Sequence, residues 1–202
     1  MKRNYKQIYQ FKITLQGIKP PVWRRIQVPE VYTFWDLHVA IQDAMGWWDS
    51  HLHEFKIINP ETMESEEIGI PVEDNYDDDF EILAGWQKML SDYYTIENKK
   101  SEYIYDFGDD WIHIVVLEEI ITRDNMFSKY PICVDGERAC PPEDVGGVYG
   151  YKDFVKIMRN PKHKEYESMV EWVGGRYDPE RFDAQKVKFD SPTKRWKNAF
   201  GG

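Results

Sequence analysis

Two stretches of the sequence hold the side chains able to do chemistry. His51 and His53 stand two apart in HLHEFKII, and Asp106, Asp109, Asp110 and His113 crowd into YIYDFGDDWIHIVVL. On an extended strand, side chains at i and i+2 point the same way, so a His-x-His pair can close on one ion. Beside His113 and Asp109 the pair gives a four-ligand set, His51, His53, His113 and Asp109, for a divalent metal cofactor. Asp106 is the alternative carboxylate, and Glu54 or Glu143 would serve as base for a metal-activated water. The same residues also have a structural reading. A histidine among apolar neighbours needs only one hydrogen-bond partner to be satisfied in a core. Arg24, Trp111 and Asp144 complete the candidate pocket.

These residues need elements to position them. In Tyr103–Leu117, Tyr and Ile alternate before a turn at Asp106-Phe107-Gly108-Asp109, and Trp111, His113, Val115 and Leu117 alternate with Ile112, Ile114 and Val116 after it. Period-2 alternation around an Asp/Gly turn predicts a hairpin. Both faces of its second strand are apolar, which predicts a central strand covered on both sides. The DFG tripeptide is no kinase signature, because neither a glycine-rich phosphate loop nor an HRD-type catalytic loop accompanies it.

A first hairpin is predicted from Tyr9, Phe11, Ile13 and Leu15 and from Val22, Ile26 and Val28, with Gly17 to Pro21 as the turn. Arg24 falls on its apolar face, where it would pair with a buried carboxylate or snorkel to water. Thr33 and Asp36 make a capping box for a helix carrying Phe34, Leu37, His38, Ile41 and Met45, which Gly46 closes. His51 through Ile58 reads as a strand with both histidines on one face, and Asn59-Pro60 ends it. Residues 61–81 read as an acidic loop, whose NYDDDFE segment is out of register for an EF-hand. Trp86 to Tyr94 reads as a short helix.

The Gly/Pro-rich stretch CVDGERACPPEDVGGVYGY reads as a long loop that carries Glu143 and Asp144. Its two cysteines, Cys133 and Cys140, lack zinc-knuckle spacing and read as free thiols. Gly146, Gly147 and Gly150 lack the strand and the Gly-Lys-Ser/Thr of a phosphate loop. Helices follow at Tyr151–Met158 and Glu165–Val173. Asp178-Pro179 makes a further turn, Val187 and Phe189 suggest an edge strand, and residues 191–202 read as a loosely held basic tail.

The chain has 202 residues, a net charge of −10 and 15% aromatic residues. Such aromatic content argues against disorder, and the acidity disfavours non-specific binding to nucleic acid or anionic membrane. No leader and no membrane span are evident. With only two cysteines, the expected setting is a reducing cytoplasm. The expected architecture is α+β: a single domain over 1–202, with its core at about 5–190, in which a mostly antiparallel sheet of hairpins packs with several short helices.

Five segments taken together resemble one family. They are GIKPPVWRRIQVP, TFWDLHVAIQDAMGWWDSHLHEF, YIYDFGDDWIH, YPICVDGERACPPEDVGGVYGYKDF and the EWVGGRYDPERFD run. They occur in the order found in the plasmid ORF-3-like domain family, some members of which are labelled passenger proteins of insertion elements. The resemblance implies an α+β domain without an assigned activity. Three functions are weighed. The first is a non-enzymatic binding domain for a protein partner or small ligand. The second is a metal-dependent hydrolase built on the His/Asp set. The third is a nucleic-acid-binding protein of mobile elements, kept by Arg24, Arg25 and the basic tail.

Overall fold

The computed structural model describes residues 4–71, 81–123 and 129–201. Residues 75–80 of the acidic NYDDDFE segment lie outside the described residues. The described residues form one eight-stranded sheet and five short helices, an α+β fold. In chain order the elements are β1 (Gln7–Leu15), β2 (Trp23–Pro29), α1 (Phe34–Met45), β3 (His53–Ile58), β4 (Ser65–Gly69), β5 (Ile82–Ala84) and α2 (Leu90–Tyr93). They continue with β6 (Lys100–Tyr105), β7 (Trp111–Thr122), β8 (Ile132–Glu137), α3 (Gly147–Met158), α4 (Tyr166–Trp172) and α5 (Pro192–Phe200). The strand order is β5-β4-β3-β6-β7-β1-β2-β8, antiparallel throughout except for the β4–β5 pair.

Register follows from side-chain alternation. Phe11 pairs with Leu117 and Ile26, and Ile13 with Val115 and Arg24, so one face of the sheet is apolar but for the buried Arg24, His53 and His113. α1 lies on that face. Thr33 and Asp36 form the expected capping box, and Gly46 ends the helix in the left-handed conformation at φ 97°. Apart from Asp43, every residue of α1 is buried. Its buried Asp36, His38 and Gln42 are each hydrogen-bonded, as a helix enclosed nearly all round requires.

The opposite face is largely open. Lys12, Arg25, Lys56 and Glu118 lie there, and Ile112, Ile114 and Val116 are only half-buried. β7 is therefore central in the sheet, but one of its faces is not covered. Its apolar alternate residues are half shielded by long side chains: Arg25 reaches Glu118 at 2.6 Å, and Lys12 sits over the Trp23 ring at 4.7 Å.

Several boundaries differ from those predicted. His51 precedes β3 rather than lying in it. Residues 61–81 contain β4, where Ile68 is fully buried. Helical geometry covers only Leu90–Tyr93 of the stretch from Trp86. The Gly/Pro-rich stretch supplies edge strand β8 and the first turn of α3. Among the described residues Val187 and Phe189 form no strand; a single 3-10 turn at Ala184–Lys186 precedes them. The tail is a docked helix. Arg195 bonds Asp43 at 2.7 Å, and the Trp35 indole N–H donates to the Pro192 carbonyl at 3.1 Å.

Candidate functional site

One end of the sheet brings three distant segments together: the loop between α1 and β3, the β6–β7 turn, and the loop between β8 and α3. They contribute His51, Asp106, and Glu143 with Asp144. His51 Nε2 lies 3.0 Å from Asp144 Oδ1, 3.5 Å from Asp106 Oδ2 and 3.7 Å from Glu143 Oε2.

Each segment is held by local chemistry. Asp106 turns the β6–β7 hairpin in the left-handed conformation at φ 58°, which Asp tolerates because its side chain bonds the nearby backbone. Its Oδ1 accepts the Gly108 and Asp109 N–H groups at 2.9 and 3.3 Å, leaving Oδ2 directed at His51. Glu143 Oε1 accepts the Trp48 backbone N–H at 2.7 Å, and the Tyr105 hydroxyl donates to its carboxylate at 3.1 Å. Burial, and then the charge of Glu143, push the Tyr105 hydroxyl far above its ordinary range, so it stays a donor. Asp109 accepts the Gly146 N–H at 3.1 Å. Gly147 packs so closely on the Asp109 carbonyl that a Cβ there would meet it at 2.5 Å. Asp109 therefore fastens the start of α3 to the hairpin.

The expected quartet of His51, His53, His113 and Asp109 does not assemble. His53 and His113 point into the core. His53 stacks on His38 at 3.4 Å with rings 6° from parallel, and its Nδ1 has no partner. Burial, with a contribution from His38, lowers its pKa well below the ordinary value. His113 Nδ1 donates to the Tyr103 carbonyl at 3.2 Å, Nε2 is unpartnered, and burial pushes its pKa down to about 4. Both are neutral core imidazoles near pH 7. The alternation that puts His53 on the Phe55 face also puts it under α1, away from His51.

The other candidates scatter. Arg24 is 1% exposed, so it does not snorkel to water, and among the described residues no carboxylate pairs with it. It donates to the carbonyls of Ala44, Trp23 and Glu137 and stacks over Phe182 at 3.7 Å. Its guanidinium replaces backbone partners at the β2–β8 edge, a structural use that spacing alone could not reveal. Glu54 lies on the open face, 3.1 Å from Lys56 Nζ. Trp111 is buried against Trp47 with centroids 6.0 Å apart. Cys133 and Cys140 are free, and burial raises both thiols above their usual range.

A cleft of about 370 Å³ opens beside the His51 cluster, lined by Trp47, Trp48, Pro142, Glu143, Asp144 and Trp172 among others. A second, of about 290 Å³, continues from Asp144 and Trp172 along Asp153, Phe154, Ile157 and Met169. Trp48 is 84% exposed and Trp172 46% exposed. Neither indole was singled out as a site residue from the sequence. The Trp47-Trp48 doublet was the available signal: Trp47 locks inward, with its N–H on the Pro141 carbonyl at 2.9 Å, while Trp48 faces solvent. Behind the cleft, a polar chain crosses the core from the Tyr103 hydroxyl through His38 to Asp49 at 2.8 Å per step, then to Arg195 at 3.5 Å.

Comparison with known proteins gives a consistent result. The family model described as plasmid pRiA4b ORF-3-like protein matches residues 7–186. The chain is similar to uncharacterized protein y4hQ of Sinorhizobium fredii (strain NBRC 101917 / NGR234), with 34% identity over 167 residues, 83% of this chain and 81% of that protein. It is also similar to a solved structure, the protein of unknown function MM3350 from Methanosarcina mazei Go1. There the TM-score is 0.85 at 46% identity, covering 93% of this chain and 100% of that one.

Proposed function

This chain belongs to the plasmid pRiA4b ORF-3-like family, and from that premise we propose that it is a non-enzymatic binding protein for a cationic segment of a partner protein. One observation carries the reading. The cleft sets two exposed indoles, Trp48 and Trp172, beside two carboxylates, Glu143 and Asp144. Aromatic faces attract ammonium and guanidinium groups through their quadrupole, and adjacent carboxylates fix the cation in place. The second cleft continues the groove with apolar side chains, which suits an extended peptide with an apolar residue next to its lysine or arginine. The overall charge of −10 steers a basic partner inward and repels nucleic acid.

The other two functions lose support. The hydrolase needed His53 and His113 as ligands, and both are core groups. The nucleic-acid reading needed free arginines. Arg24 is buried, and Arg25 is engaged by Glu118 and Asp135. A cytoplasmic setting is part of the proposal, argued from the two free thiols; among the described residues no helix is long and apolar enough to cross a membrane.

The test is a titration followed by tryptophan fluorescence and calorimetry. Nonapeptides carrying two lysines or two arginines around a leucine are compared with glutamate-substituted controls. The basic peptides are expected to bind in the micromolar range or weaker, with affinity falling as salt rises. Trp48→Ala should weaken them by about two- to fivefold, the scale of one cation–π contact near water. Equal binding of acidic and basic peptides, or no effect of Trp48→Ala, refutes the proposal.

A further inference from the structure

The geometry points to a divalent transition-metal site formed by His51 Nε2, Asp106 Oδ2, Glu143 Oε2 and Asp144 Oδ1. Spacing is the first argument. The ligand atoms of His51, Asp106 and Asp144 all lie within 4.8 Å of one another, and His51 Nε2 is 3.0 to 3.7 Å from the three carboxylates. Ligands at about 2.0–2.1 Å from one ion stand roughly 3.0 Å apart in octahedral and 3.3 Å apart in tetrahedral geometry. His51 Nε2 thus stands from each of the three carboxylates at close to the separation that an ion would impose, and His51, Asp106 and Asp144 form a set compact enough to share one, with Glu143 at its edge.

Charge is the second argument. Among the described residues His51 is the sole basic group within ion-pair distance of Asp106, Glu143 or Asp144. The side chains of Asp106 and Glu143 are only 10% and 11% exposed. Two nearly buried carboxylates and a third beside them share one imidazole, which has a single Nε2 hydrogen to give. Buried charges are ordinarily paired or bound to metal. A protonated His51 leaves the cluster at a charge of about −2, and a divalent ion on a neutral His51 leaves it at about −1.

The third argument is what holds the ligands. The Trp48 N–H and the Tyr105 hydroxyl, both outside the cluster, fix the Glu143 carboxylate, and the Ser50 N–H donates to that same hydroxyl at 3.0 Å. Metal-ligating carboxylates are characteristically oriented by such outer partners. The three segments lie about 40 to 90 positions apart in sequence, so local loop composition does not explain their meeting. One imidazole with three carboxylates suits Mn²⁺ or Zn²⁺ better than the all-oxygen preference of Mg²⁺ or Ca²⁺.

The site goes beyond the peptide-binding proposal. It shares Glu143 and Asp144 with the cleft, but its test uses metal alone, so either can fail without the other. The full chain is stripped with chelator and titrated with Mn²⁺, free Mn²⁺ being read by electron paramagnetic resonance, and in parallel with Zn²⁺ by calorimetry. One equivalent is expected to bind. His51→Ala and Asp144→Ala should each lower affinity at least tenfold, while His163→Ala leaves it unchanged. Asp144 is well exposed, so its variant keeps the fold, which circular dichroism verifies. Absence of saturable binding by the wild-type chain, or binding that survives either substitution intact, overturns the assignment.

Discussion

Two imidazoles sit in one core and are both kept neutral by it, yet they differ in what surrounds them. His113 keeps one hydrogen bond and leaves Nε2 unpartnered beneath Trp47. In the unfolded chain it takes up a proton below about pH 6.5, whereas the folded chain refuses one until about 4. Its native pKa is depressed, so stability is full above 6.5 and drains away as the pH falls toward 4. His53 adds to the slope in the same direction. His113→Leu should therefore flatten acid destabilisation. The difference in urea-unfolding free energy between pH 7 and pH 5 should shrink by about 2 kcal/mol, and an unchanged difference would show that other groups set it. The neutral core role of His113 was legible from the apolar alternation of WIHIVVL. What alternation could not show was which imidazole meets which carboxylate. His51 and His53 read alike in a His-x-His pair, and only the point where β3 begins separates a surface group from a core group. Asp106 and Asp109 read alike for the same reason. One turns the hairpin toward His51, and the other ties down α3.

Among the elements, α5 departs furthest from its sequence reading. A basic tail with low hydropathy resembles a disordered end, but Ser191 caps it, Pro192 starts it, and Arg195 meets three carboxylates, those of Asp43, Asp49 and Asp190. Phe200 packs on Trp35 and Trp86 at 5.6 and 5.4 Å. Removing the arginine leaves the partly buried Asp43 of α1 without its counter-charge, and burial already raises that carboxyl. Arg195→Ala should cost about 2 kcal/mol, less than the loss of a fully buried pair. Trypsin should then cut at Lys194 and Lys197 well before the sheet is attacked. Equal unfolding midpoints and equal cleavage would mean that the aromatic contacts alone hold the helix. The long strands were legible because each shows period-2 alternation over many residues. β5 and β8 were not: β5 has three residues, and β8 runs through Gly136 with mostly exposed or half-exposed side chains. Short edge strands take their structure from a neighbour, not from their own pattern.

Across the whole molecule, the α+β class and the antiparallel hairpins followed from composition and alternation, and the order of strands did not. The sheet places β1 between β2 and β7, so the N-terminal strand sits inside it, bonded to a strand from the second half of the chain. Pairing of that kind must overcome loop closure before any contact rewards it. Refolding from urea should accordingly take milliseconds to seconds, as stopped-flow fluorescence of the eight tryptophans would record. A microsecond phase that recovers the full signal would mean that local hairpins suffice. The same placement has a consequence during synthesis. At about 5–20 residues per second, the roughly one hundred residues separating β1 from β7 take on the order of 5–20 seconds to emerge. For that interval the nascent β1–β2 hairpin shows two bare backbone edges, since β8 follows β7 in the chain, and exposes the side chains of Phe11, Ile13 and Leu15 to solvent. A translating ribosome carrying this chain is thus a substrate for chaperones that shield unpaired strands until the second half arrives.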